Sequence, residues 1–211
     1  TAPGAIKLLE ANQEKINWYN LSQNTAPNAI KLLEANQEKI DWYTLSCNPG
    51  AMKLLEANQD NIVWNYLSLN PSAMKLIESN LEKISWNYLS QNPSAMKLIE
   101  SNLEKIDWDY LSGNSAPGAI KLLEANQEKI DWNFLSANSA PGAIKLLEAN
   151  QEKIHWDGLS GNPSAMKLLE ANQEKIDWNM LSLNPSAIKL LEANQEKIHW
   201  YLLSKNPSAM K

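Results

Sequence analysis

Apolar and polar positions follow one register that recurs along the whole chain. In Pro71–Asn92, PSAMKLIESNLEKISWNYLSQN, Ala73, Met74 and Ile77 recur at helical spacing on one face, while Lys75 and Glu78 lie three apart on a wetter side. Proline marks the same point at 3, 27, 49, 71, 93, 117, 141, 163, 185 and 207. The period is 22 residues, or 24 where Thr25-Ala26, Ser115-Ala116 and Ser139-Ala140 are added. Nine near-identical units of this length, with a tenth begun at Pro207, predict a solenoid in which each unit buries its apolar face on the next.

Within a unit the pattern predicts two short helices. The Asn at 24, 48, 70, 92, 114, 138, 162, 184 and 206 is a helix cap, and Pro directly after it in the 22-residue units suits the first helical position. A first helix of about nine or ten residues is therefore expected, closing at the Asn of 12, 36, 58, 80, 102, 126, 150, 172 and 194, a residue that tolerates the left-handed conformation and can bond to nearby backbone. The tract Gln-Glu-Lys-Ile, or its variants, turns the chain back, with its Ile as buried anchor. Asn17, Asp41, Ser85, Asp107, Asp131 and Asp177 then stand where a cap is needed just before Trp, so a second helix of about two turns, α or 3₁₀, runs from Trp through Leu-Ser.

Trp18, Trp42, Trp64, Trp86, Trp108, Trp132, Trp156, Trp178 and Trp200 form the column expected to be the structural core. A buried indole removes about 150–250 Å² from water, several kcal/mol before entropy. The following Leu lies three residues on, on the same face. The Ser after it (22, 46, 68, 90, 112, 136, 160, 182, 204) is small and able to bond back to a helix carbonyl, which indicates a tight approach. No base recurs beside it, so it is not read as a nucleophile.

Variation between copies concentrates around the second helix. Tyr66, Tyr88, Tyr110 and Phe134 stand in register and are expected to form an aromatic row, which suits either a protein interface or closure of the gap between successive helices. Gly158 and Gly161 mark their unit as a candidate soft spot.

Composition narrows the classes further. The 211 residues are 44% apolar and 20% charged, with net charge −5. No basic stripe exists to neutralise phosphates, so nucleic acid is not expected as a partner. No run approaches the length of a membrane span, so membrane insertion is not expected. Cys47 is the single cysteine, which rules out an internal disulfide framework. His155 and His199 are two units apart, roughly 20 Å in a helical stack, too far to share one metal ion. Carboxylates and lysines alternate as solvated ladders, and no phosphate loop or metal motif occurs. Neither catalytic residues nor a cofactor or metal site is expected. The chain opens TAPGAIK and closes NPSAMK, inside a unit at both ends, which reads as a piece of a longer array.

The succession Trp, Leu-Ser-X-Asn-Pro, Ala-Ile or Ala-Met, Leu-Leu-Glu, Asn and Lys-Ile resembles the short repeats of uncharacterised proteins of large double-stranded DNA viruses infecting protists and algae, over essentially all 211 residues. That resemblance implies a virion component, in the virion or the host cytoplasm, and carries no catalytic residues. A weaker similarity to leucine-rich variant repeats rests on the 24-residue unit, the Asn-Pro junction and the Leu-Leu pair. It implies alternating α and 3₁₀ helices in a right-handed superhelix; the iron–sulfur segment of that family has no counterpart beside Cys47 alone.

The expectation is thus an all-α, two-layer α/α (α/3₁₀) solenoid forming a single repeat-array domain over 1–211. Its expected role is that of a non-enzymatic structural scaffold or assembly protein, filament-forming or within a virion, whose partners are copies of itself or other structural proteins. The alternative is a solenoid that recognises a peptide or protein along its concave side through the aromatic row.

Overall fold

The computed structural model of the chain describes residues 3–209, so Thr1 and Lys211, where the reading of a longer array begins and ends, lie outside the described residues. The chain divides into two compact units, Thr1–Ile106 and Asp107–Lys211. Each is a two-layer solenoid of 22–24-residue helical repeats, and no strand occurs among the described residues. In the first unit one layer holds Pro3–Glu10, Pro27–Glu34, Met52–Ala57, Met74–Glu78 and Met96–Glu100; the other holds Trp18–Ser22, Trp42–Ser46, Trp64–Leu67 and Trp86–Gln91. In the second unit the corresponding layers are Pro117–Ala125, Pro141–Ala149, Met166–Ala171 and Ile188–Glu192, and Trp108–Ser112, Trp132–Ala137, Trp156–Ser160, Trp178–Leu183 and Trp200–Leu203. Like packs on like within a unit, as Trp132–Ala137 does on Trp156–Ser160 and Pro117–Ala125 on Pro141–Ala149.

The first helix is shorter than expected in the 22-residue repeats. It opens only three residues after Pro, at Met52, Met74, Met96, Met166 or Ile188, and spans five or six residues. The cause is the preceding Asn, whose side-chain oxygen accepts from the N–H two residues on (Gly50, Ser72, Ser94, Ser164, Ser186) and holds the Pro segment in a turn. In the 24-residue repeats that oxygen takes the N–H of the added Ala26, Ala116 or Ala140 instead. Proline is then free to occupy the first helical position, and the helix reaches eight or nine residues.

The closing Asn is not left-handed: no non-glycine residue described has a positive φ. Asn36, for example, sits at φ −139°, ψ 52°. Its Nδ2 donates to the Leu32 carbonyl four residues back at 2.9 Å, and Asn12, Asn58, Asn80, Asn102, Asn126, Asn150, Asn172 and Asn194 repeat the bond at 2.8–2.9 Å. A free carbonyl of the last turn is thereby satisfied without the steric cost of the left-handed region. The 3₁₀ segments fall in the return tract, as at Gln37–Lys39 and Gln151–Lys153, and at the proline turns Pro49–Ala51 and Pro93–Ala95, rather than in the second helix. Before the second helix, the side chains of all six expected caps accept from its first turn, and His199 Nδ1 does the same for the Leu202 N–H at 3.3 Å.

The deepest side chains are leucines and isoleucines. Leu45, Leu67 and Leu89 in the first unit, and Leu111, Leu135, Leu159 and Leu181 in the second, are wholly buried, facing Leu33, Leu55, Ile77 and Ile99, or Leu123, Leu147 and Leu169, of the other layer. The tryptophans sit higher. Trp18 through Trp178 are half-buried and Trp200 is 64% exposed, because each opens its helix at the margin of the layer.

Gly158 lies inside Trp156–Ser160, and a Cβ there would meet its nearest atoms, the Asn133 carbonyl and Ser136 Cβ, at an ordinary 3.7 Å. Gly158→Ala is therefore expected to stabilise the second unit by about 0.5–1 kcal/mol by reducing the freedom of the unfolded chain. A rise in urea midpoint without loss of helicity checks this; a fall would show that the glycine is needed.

Candidate protein-interaction face

The residues that barely change between repeats turn out to be occupied with one another. Each buried Ser donates through Oγ to the Trp carbonyl four residues before it, as Ser46 does to Trp42 at 2.7 Å, and within each unit it accepts from the N–H of the residue just before the next Trp. Asp41 and Val63 make that second bond to Ser22 and Ser46 in the first unit, and Asp131, His155, Asp177 and His199 make it to Ser112, Ser136, Ser160 and Ser182 in the second, at 3.0–3.1 Å. The hydroxyl is thus a staple between repeats, with its donor and an acceptor site both in use.

A second device was hidden in the capping asparagine. Asn48 Nδ2 donates to the carbonyls of Ser22 and Asn24 in the preceding repeat. Asn70 and Asn92 continue this in the first unit, and Asn138, Asn162, Asn184 and Asn206 form the equivalent ladder in the second, all at 2.9–3.1 Å. The side chain thus caps its own turn through oxygen and ties down two carbonyls of its neighbour through nitrogen. No buried side-chain nitrogen or oxygen described lacks a partner. Sequence reasoning took the Asn as a cap only, although its presence in all nine units was the available signal for the second role.

The third device uses lysine. Where the return tract ends in Lys, its Nζ lies over the indole of the preceding repeat, as Lys39 does over Trp18 at 5.0 Å and Lys153 over Trp132 at 4.7 Å from the ring centroid. These lysines are read from sequence as members of a solvated charge ladder; the structure gives them a cation–π contact worth about 0.5–1 kcal/mol each at such exposed sites.

Against this constant frame the expected row residues stand outside. In the first unit Tyr66 and Tyr88 stack with ring centroids 6.0 Å apart, and Tyr43, which follows its Trp by one residue rather than two, joins them edge-on to Tyr66 at 5.7 Å. Tyr66 remains 37% exposed and Tyr43 59%. In the second unit Tyr110 and Phe134 pack at 5.7 Å, with Phe134 37% exposed. The rings are in mutual contact and so bridge successive helices, while Tyr43, Tyr66 and Phe134 also leave aromatic surface open to water.

The polar surroundings of the second pair are acidic. Asp107 and Asp131 cap the helices that carry Tyr110 and Phe134, accepting from their N–H groups. Partial desolvation, together with the like charges of Asp131 and Asp107, raises the Asp109 carboxyl above its ordinary range. Beside the first row, burial pushes the Cys47 thiol up, and its Sγ donates to the Tyr66 carbonyl at 3.4 Å. That thiol is suited to packing rather than to nucleophilic chemistry.

Among the described residues no three His, Cys, Asp or Glu side chains converge to hold a metal ion, and no helix is long and apolar enough to cross a membrane. The fold and this surface define a helical-repeat scaffold, an architecture consistent with protein–protein interaction. Comparison of the chain with protein-family models, with curated proteins and with solved structures found no match.

Proposed function

We propose that the chain recognises a segment of another protein through the aromatic rings of its second-helix layer, exposed Tyr43 and Tyr66 with half-buried Tyr88 in one unit and half-buried Tyr110 with exposed Phe134 in the other. The observation that carries this reading is the contrast between positions. The constant residues are spent on holding repeats together, while the variable ones place touching aromatic rings at the surface, Tyr43, Tyr66 and Phe134 the most open of them. Tyrosine in such clusters offers large contact area at little entropic cost and a hydroxyl for a polar anchor. The scaffold reading with copies of itself, in a filament or a virion, draws on the repeat architecture and on the resemblance to viral repeats.

Peptides selected on the full chain from a displayed random library provide the test. Tyr66→Ala/Tyr88→Ala and Tyr110→Ala/Phe134→Ala are each expected to weaken the peptides that use that row at least ten-fold, with helicity unchanged. Selected peptides that bind both double variants as tightly as the parent would sink the proposal. Mass growing with concentration in light scattering, and lost in the same variants, would favour copies of this chain as the partner.

A further inference from the structure

Seven tryptophans carry the same cover. Lys39, Lys83 and Lys105 lie over Trp18, Trp64 and Trp86 in the first unit, and Lys129, Lys153, Lys175 and Lys197 over Trp108, Trp132, Trp156 and Trp178 in the second, with Nζ 4.4–5.1 Å from the ring centroid. The lysine is always the one that ends the next repeat's return tract.

Trp42 breaks this rule. The residue in register with it is Asn61, which is too short to reach across an indole and carries no charge. Nothing else in the seat has moved. Gln59–Asn61 forms the same 3₁₀ turn as the lysine-bearing Gln37–Lys39 and Gln127–Lys129, and Ile62 after it is buried like Ile40. The Val63 N–H still donates to Ser46 Oγ at 3.0 Å, and Asn70 Nδ2 to the Ser46 carbonyl at 3.0 Å. The wall against which an ammonium rests elsewhere is therefore kept while the ammonium is gone.

Charge changes in the matching direction. The repeat 49–70 has Lys53 against Glu56 and Asp60, whereas 71–92 balances Lys75 and Lys83 against Glu78 and Glu82. Asp60 directly precedes Asn61, so the carboxylate of the return tract has lost its neighbouring cation. Trp200 also has no lysine in register within these residues, but it is 64% exposed and no following return tract within the sequence forms the second wall of a seat.

We propose that the open face of Trp42 is a seat for a lysine or arginine side chain presented by a partner protein, with Asp60 as its countercharge. The occupant follows from the molecule itself, which fills seven equivalent seats with a side chain of this chemistry. Arginine adds a planar group able to stack on the indole, so it is the stronger of the two occupants. The proposal does not rest on the role of the tyrosine and phenylalanine rows, although Trp42 neighbours Tyr43 in the chain.

The test uses the full chain with ¹⁵N-labelled indoles, titrated with a blocked Gly/Ser nonapeptide carrying one central arginine. Trp42→Phe assigns the signal. The Trp42 indole resonance is expected to shift saturably, the seven covered tryptophans to stay in place, and the same peptide with glutamine for arginine to have no effect. Asn61→Lys restores the residue found in the other repeats and should lower the affinity at least five-fold. Gln59→Lys adds the same charge two residues away and should change it less than two-fold, and Tyr66→Ala should leave it unaltered. No shift at Trp42, equal shifts at all tryptophans, or undiminished binding by Asn61→Lys would each overturn the proposal.

Discussion

Asn162→Asp is expected to destabilise the second unit by about 3–5 kcal/mol at pH 7, although the two side chains are nearly the same size. The amide of Asn162 donates to the carbonyls of Ser136 and Asn138, both at 3.1 Å, from a site 2% exposed. A carboxylate there would set negative oxygen against two carbonyl oxygens with no water to separate them, the situation of an uncompensated buried charge. Burial and the facing carbonyls favour the protonated acid, so the folded-state pKa of the new group lies above the unfolded value of about 3.9. The sign then follows. The acid binds its proton more tightly in the folded state, so the ionisation penalty is absent below about pH 4 and grows as pH rises toward the folded-state value. Urea unfolding of the variant should show stability falling from pH 4 to 7 more steeply than that of the parent, whose raised Asp109 at an exposed site adds only a small fall of the same sign. Asn162→Ala, which leaves the same carbonyls unpaired without charge, should cost about 2–4 kcal/mol with no added pH dependence. Parent-like stability of Asn162→Asp at pH 7 would show that the asparagine ladder does not hold the repeats together.

The second large effect lies in the leucine column. Leu135 is wholly buried between the layers, and Leu135→Ala is expected to cost about 3–4 kcal/mol through lost burial and the cavity left behind. Trp132, three residues earlier on the same helix, is half-buried, so Trp132→Ala should cost about 2 kcal/mol. That figure includes the contact with Lys153, 4.7 Å from its ring. The smaller residue outweighs the larger because Leu135 leaves a closed cavity between the layers, whereas the indole lies at the margin, where water and neighbouring side chains can fill the space. Thermal or urea unfolding of the two variants gives the order directly, and the reverse order would assign the adhesion of repeats to the indoles.

Both the interaction face and the Trp42 seat depend on departures from the repeat. An array whose constant positions are all committed to internal bonds has only its variable positions left for partners. Tyr43, Tyr66, Tyr88, Tyr110 and Phe134 are substitutions of that kind, and so is Asn61. The first group adds rings to the surface; the last removes a cover from one.

The sequence by itself determined the unit length, the pairing of two helices per unit, the six side-chain caps before Trp and the aromatic register of Tyr66 with Tyr88 and of Tyr110 with Phe134. These are legible because periodicity and capping are local: each depends on residues within a few positions of one another. Only the tertiary structure decided what depends on distance across repeats. It assigned the deepest burial to Leu135 and its equivalents rather than to Trp132, since three-residue spacing puts both on one face but does not say how far in each reaches. It turned Asn48, Asn162 and Asn184 from caps into links, because their second partners lie 22 to 26 residues away, where no local pattern points. It also set Lys153 over Trp132, a contact between charge and ring that becomes visible only when one repeat is laid against the next.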